Sequence, residues 1–133
     1  MSFLLDTNIC SAHIRRPSGL FHQFQQHSGR LFISSVVLGE LYAWAFRRDD
    51  PYKMIDFLEE EIFPELEILP YEENCAFEFG KIRGTFIQEG ISYDPVDLMI
   101  AATALVHDLT LVTHNTKDFQ NIPNLRIVDW IEP

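Results

Sequence analysis

The apolar run Phe3-Leu4-Leu5 breaks off at Asp6, and the recurrence of this pattern constrains the fold more than any other feature. A short, continuous apolar run bounded by a polar break suits a strand buried on both faces; a strand with one wet face would alternate instead. Leu31-Phe32-Ile33, Leu66-Glu67-Ile68-Leu69, Leu109-Thr110-Leu111-Val112 and Leu125-Arg126-Ile127-Val128 have similar length and character. Helical stretches separate them. Short apolar strands alternating with helices specify an α/β fold, with a parallel sheet of about five strands flanked by helices on both faces.

The helices have identifiable limits. Arg15-Arg16-Pro17-Ser18-Gly19 reads as a turn, and Leu20, Phe21 and Phe24 then give one apolar helix face ending at Ser28-Gly29. Ser34-Ser35 supplies an N-cap for a helix over Val36 to Arg47. Asp49-Asp50-Pro51 restarts a helix that carries Met54, Ile55, Leu58 and Ile62 as far as Pro64. Glu72 to Gln88 is a long amphipathic helix closed by Gly90, and Leu98 to Val106 is an apolar one entered through Pro95. The segment from Thr7 to Ile14 is too short to assign, and Asn115 to Phe119 is a turn or short helix.

No repeat, low-complexity segment or linker interrupts the 133 residues, so one domain spanning 1–133 is expected. No apolar run approaches the roughly 20 residues of a membrane span. The start lacks the basic segment of a secretion signal. Cys10 and Cys75 lack metal-type spacing and suit free thiols in a reducing cytoplasm. A net charge of -10 excludes a simple nucleic-acid binder, which neutralises phosphates with Lys and Arg. It leaves open an enzyme that meets phosphate through bound cations, and it suits a basic partner.

Four acids stand where a solvated surface does not explain them. Asp6 ends the first strand, where open α/β sheets hold ligands, although Asp6, Thr7 and Asn8 are equally good helix caps. Glu40 has Val36, Val37, Ala43 and Trp44 as its helix-face neighbours; it either grazes the rim of the core or is paired, protonated or metal-bound. Asp97 opens an apolar helix, either as N3 of a capping box with Asp94 or projecting into a cleft. Asp118 follows the strand Leu109 to Val112 as Asp6 follows its own strand, though a plain strand-to-turn exit accounts for it alone. Parallel strands put their carboxyl ends on one side, so the four can converge.

Clustered carboxylates repel one another unless a cation sits among them. Hard oxygen donors without a His or Cys set select Mg²⁺ or Mn²⁺ over Zn²⁺. Such ions activate water and stabilise the leaving oxygen in phosphodiester cleavage. The histidines share no ligand spacing, although His114 lies near the proposed site and has the chemistry to bond phosphate. P-loop, dinucleotide-binding and nucleophile-elbow motifs are absent from the sequence.

Leu4-Leu5-Asp6-Thr7-Asn8, Ser34 to Leu41, Asp97 to Ala102 and Leu111 to Phe119 together resemble the ordered signature blocks of PIN domains, and more narrowly the VapC-type toxins of bacterial toxin–antitoxin pairs. The resemblance covers essentially the whole chain. It implies a metal-dependent endoribonuclease, usually dimeric and silenced by a cognate VapB-like antitoxin. Asp6, Glu40 and Asp97 match the family's metal-binding acids and Asp118 a more variable fourth, with Mg²⁺ or Mn²⁺ as the ion. Thr113 and Asn115 match its polar supports, and Thr7 and Asn8 stand beside Asp6 in the same role. Asp94 departs from the pattern, where a small residue is usual, and is read as a helix cap.

Arg15, Arg16, Arg47, Arg48, Lys81 and Arg83 are candidate contacts to an RNA backbone, or ordinary surface charge. Tyr42, Trp44 and Phe46 suit either a partner groove or the core. Two alternatives remain: a catalytically inactive PIN-fold binding partner, and a receiver-like phosphate-transfer domain. The second needs an acceptor Asp after a middle strand, where this chain has Leu69-Pro70-Tyr71.

Overall fold

The computed structural model describes residues 1–15 and 17–131. Its sheet has five parallel strands in the order β3-β2-β1-β4-β5. They are β1 (Phe3–Leu5), β2 (Leu31–Ser34), β3 (Glu67–Leu69), β4 (Thr110–Val112) and β5 (Ile127–Val128). The helices are α1 (Thr7–Arg15), α2 (Pro17–Gln26), α3 (Ser35–Phe46), α4 (Pro51–Phe57), α5 (Glu73–Gln88) and α6 (Pro95–Val106).

This order explains why the apolar runs differ in purity. β1 and β4 sit in the middle and are buried throughout, so Leu4, Leu5, Leu111 and Val112 need no polar alternation. β3 lies at an edge, and Glu67 and Ile68 are exposed. From β1 the chain steps outward to β2 and β3, then returns to start β4 on the other side of β1. Right-handed crossovers therefore put α1 to α4 on one face and α5 and α6 on the other. The reversal of direction between β1 and β4 makes their carboxyl ends the switch point of the sheet, where ligands bind in open α/β folds.

Local sequence sets the helix limits. Ser34, buried at the end of β2, accepts the Val37 N–H at 3.1 Å and turns strand directly into helix. Asp50 caps α4 and Asp94 caps α6, each with a proline at the first helical position. Gly90, at φ 71°, takes the left-handed conformation after α5 that a side chain would resist.

Three expectations change. The segment after Asp6 is a full helix, because Ile9, Cys10 and His13 bury one face of it. Pro17 opens α2 instead of belonging to a turn; proline's missing N–H costs nothing at a helix start. (The structure of Arg16 lies outside the described residues.) The helix drawn from Pro51 to Pro64 is α4 followed by a π turn (Leu58–Ile62) and a 3₁₀ turn (Phe63–Glu65), a widened register that keeps Leu58 and Ile62 buried.

Candidate active site

The register of the two central strands builds the site. Leu5 pairs with Val112, so the next residues of each strand, Asp6 and Thr113, leave the sheet side by side. The Asp6 N–H donates to the Val112 carbonyl at 2.9 Å, which carries the pairing one residue past β1. Asp6 is only 5 % exposed, and both its oxygens are engaged. Oδ1 accepts the Thr7 N–H at 2.8 Å. Oδ2 accepts the Thr113 hydroxyl at 2.8 Å and, more distantly, the Asn8 amide at 3.4 Å. Asn8 closes the loop by accepting the His114 N–H at 3.1 Å through Oδ1. The Asn115 N–H donates to the Thr113 hydroxyl oxygen at 3.1 Å. Asp6 is therefore both a helix-start residue and a fixed buried acid; the two readings of it are compatible.

Glu40 reaches the same place from α3. It is half-buried, and its Oε1 accepts the Thr7 hydroxyl at 2.5 Å. Gly39 and Ala43 beside it are exposed, so it stands on the rim of the core with a polar partner and not inside an apolar wall. Asp97 enters from the first turn of α6, half-buried. Asp118 sits exposed in the 3₁₀ turn Thr116–Asp118 that follows β4. Neither the Asp97 nor the Asp118 carboxylate has a hydrogen-bond partner among the described residues.

Electrostatics tie the four together. Burial raises the Asp97 carboxyl to about 7, and the charges of Asp6, Asp94, Asp118 and Glu40 push in the same direction. Asp6 is also raised by burial, against the hydrogen bonds from Thr113 and Thr7, with Glu40 and Asp118 adding repulsion. Cys10, fully buried behind the site, has its thiol pushed up to about 12 by burial and by Asp6. Asp94, placed by sequence as a cap, is one: its Oδ1 accepts the Val96 N–H at 2.8 Å.

Among the described residues no three Asp, Glu, His or Cys side chains form a closed ligand set around one point. Mg²⁺ does not need one, since it keeps several waters and uses one or two carboxylates plus substrate phosphate. An oxygen-only donor set of mutually repelling carboxylates fits that cation chemistry.

The PIN domain family matches residues 3–125, which include all four acids. The tRNA(fMet)-specific endonuclease VapC of Salmonella typhimurium is 35 % identical over 131 residues, 98 % of each chain. The chain is a PIN-domain protein of the VapC ribonuclease family. A Haemophilus influenzae VapC2 ribonuclease is 33 % identical over 132 residues, covering 98 % of this chain and 99 % of that one. Among solved structures, DNA-bound VapBC from Salmonella typhimurium superposes with a TM-score of 0.91 at 35 % identity, over 98 % of each chain. VapBC2 from Rickettsia felis, bound to a DNA fragment from its promoter, gives 0.90 at 32 % identity, over 98 % of this chain and 99 % of that chain. Both are toxin–antitoxin assemblies of the VapC family.

Of the residues that the fold brings to this family's site, the sequence singles out His114, Asn115, Arg15, Trp44 and Arg47, and only Ser11 is passed over. His114 contributes its backbone N–H, while its ring bonds Asp129 at 3.0 Å, away from Asp6. Asn115 likewise contributes its backbone rather than its amide. Ser11 lines the groove next to Glu40, together with Arg15, Trp44 and Arg47. Their spacing, Thr7-Ser11-Arg15 and Glu40-Ala43-Trp44-Arg47, is the signal that places each set on one helix face.

Proposed function

We propose that this chain is a divalent-metal-dependent endoribonuclease, the toxin of a VapBC-type toxin–antitoxin pair, with residues 1–133 as its single catalytic domain. The carrying observation is the convergence of four acids at the switch point of the sheet: Asp6 fixed by Thr113 and Thr7, Glu40 held by Thr7, Asp97 in the first turn of α6 and Asp118 in the turn after β4, close enough that Glu40 and Asp118 both raise Asp6 and Asp97. Asp6, Asp97, Glu40 and Asp118 would hold Mg²⁺ or Mn²⁺, with Thr7, Asn8, Thr113 and Asn115 as supports. When bound, the ion lowers the pKa of water and stabilises charge on the phosphate and leaving oxygen.

The protein's own groups do the positioning. Thr113 and Thr7 fix Asp6 so that the site does not reorganise as charge arrives. Thr7 occupies Oε1 of Glu40 and leaves Oε2 to orient the attacking water. Asp97, at the positive end of α6, is held as an anion by the helix dipole once a cation offsets its neighbours. A cognate VapB-like antitoxin is the expected partner and the toxin is expected to act as a homodimer. Buried free thiols at Cys10 and Cys75 support a cytoplasmic setting.

The test is purified protein on transcribed RNA with Mg²⁺ or Mn²⁺. Internal cleavage that stops in excess EDTA and returns with added Mn²⁺ is expected. RNA that stays intact with either metal, from antitoxin-free protein, contradicts the assignment.

A further inference from the structure

A groove of about 540 Å³ runs from the acidic site between α1 and α3. Thr7, Ser11 and Arg15 line it from α1, and Glu40, Ala43, Trp44 and Arg47 from α3, with Leu41 beneath. Each set is one helix face, so both walls change from acid-linked to basic in the same direction. Arg15 lies about 12 Å along α1 from Thr7, and Arg47 about 10 Å along α3 from Glu40.

These arginines are distinguished by their place beside the acidic site. Lys81 pairs with Glu78 and Arg126 with Asp108. Among the described residues Arg15 and Arg47 have no ion-pair partner, as is also true of Arg30, Lys53, Arg83 and Lys117; what sets the two apart is that both line the one groove that opens at Glu40 and Thr7. The Arg48 guanidinium lies 4.1 Å above the Trp44 ring, adding a third positive charge and keeping the indole at the groove wall. A groove with unpaired guanidinium groups at one end and an aromatic wall is the standard chemistry for single-stranded nucleic acid: cations follow the backbone and a ring stacks a base.

We infer that the α1–α3 groove is the track of the RNA strand on one side of the scissile bond, with Arg15 and Arg47 each holding a backbone phosphate and Trp44 stacking a base. This deepens the ribonuclease assignment and rests on it for the identity of the strand. It also selects among the six basic candidates of the sequence: Lys81 and Arg83, on α5, lie off this track.

The experiment measures binding of a short, mixed-sequence, fluorescein-labelled single-stranded RNA in EDTA across a salt series, and cleavage of the same RNA in Mg²⁺. Arg15→Ala/Arg47→Ala is expected to weaken binding at least tenfold and to flatten the slope of log K against log salt by about 1.4, the value for two lost phosphate contacts on a single strand. In cleavage, KM rises while kcat changes little, and Arg15→Lys/Arg47→Lys recovers most of the loss. RNA binding changes Trp44 fluorescence in the parent and not in Trp44→Phe; Trp130, only 8 % exposed, remains as the unresponsive reference. Lys81→Ala/Arg83→Ala leaves affinity and slope unchanged. Equal affinity and equal slope in the Arg15/Arg47 double variant overturn the groove while leaving a cleaving parent as a ribonuclease. A parent that binds RNA through the groove but never cuts it keeps the groove and removes the ribonuclease assignment.

Discussion

Thr113 donates its hydroxyl to Asp6 at 2.8 Å across 107 residues of sequence, and both groups are buried. This one bond joins the ends of the two central strands and holds the acid at the centre of the proposed metal site. Thr113→Val keeps the shape and removes the donor. The expected stability loss is about 1–3 kcal/mol, because an already desolvated carboxylate loses a partner. Activity should fall about 10–100-fold, as when the support of a metal ligand is removed. Chemical denaturation and RNA cleavage measured on the same preparation check both; loss of stability with full activity contradicts the positioning role.

Asp97 gives a pH dependence whose sign is fixed. Its carboxyl is raised from 3.8 to about 7 in the folded chain, so the native state holds a proton that the unfolded state releases. Metal-free protein therefore loses stability as pH rises from about 4 through 7. With Asp97 half-exposed and screened, the loss is on the order of 1–2 kcal/mol. Asp97→Asn removes that dependence and is more stable than the parent at pH 8 without metal, while cleavage is abolished. Thermal melts of the parent and Asp97→Asn in EDTA at several pH values measure it, and an advantage of Asp97→Asn over the parent that does not grow between pH 5 and pH 8 contradicts it.

Thr7 separates positioning from folding at Glu40. Its hydroxyl holds Oε1 of Glu40 in a half-buried setting, so Thr7→Ala costs about 1 kcal/mol in stability. The expected drop in kcat is about tenfold with KM nearly constant, and Thr7→Ser restores it because the hydroxyl returns. Steady-state cleavage kinetics on the three proteins decide the point; a Thr7→Ser variant as poor as Thr7→Ala argues against the hydroxyl.

His13 is the reverse case, a polar group buried without full satisfaction. Its ring stacks on Phe24 with centroids 3.7 Å apart, its Nε2 faces Glu65 at 3.8 Å, and its Nδ1 has no hydrogen-bond partner among the described residues. Burial lowers its pKa below 6.5, so the fold favours the neutral ring. The stability this contributes is present above pH 6.5 and is lost as pH falls through the folded value. His13→Phe keeps the stack and removes the titration; its melting temperature should exceed the parent's at pH 5 and the gap should narrow by pH 8. A constant gap contradicts the assignment.

Strand ends were easier to read in the sequence than helix starts, for a physical reason. β1 and β4 are buried on both faces, so they announce themselves as short runs of mostly apolar residues, with the buried Thr110 the one polar member, and the acids behind them inherit a position from the sheet. α1 announces nothing: only Ile9, Cys10 and His13 are buried, and a cysteine and a histidine do not make a recognisable stripe. Pro17 misled because proline starts helices as readily as it makes turns. At the site, Asp6 and Asp97 were legible through their places at element ends. The bond from Thr7 to Glu40 was not, because it joins residues 33 apart whose approach depends on how α1 packs on α3. The helix-face alignment of Arg15 and Arg47 had the same difficulty, since each was one arginine among several until the two helices faced each other.

The most direct test of the central claim is the single-turnover rate of RNA cleavage by Asp6→Asn in saturating Mg²⁺, with the fold verified by circular dichroism and thermal melting. Asparagine keeps the size of Asp6 and an acceptor for Thr113 but removes the charge that a cation needs. The expected result is a cooperatively folded protein whose cleavage is reduced by at least a thousandfold, on the order of 4 kcal/mol of transition-state stabilisation. Cleavage at the parent rate by a folded Asp6→Asn protein would contradict a metal site built on this aspartate.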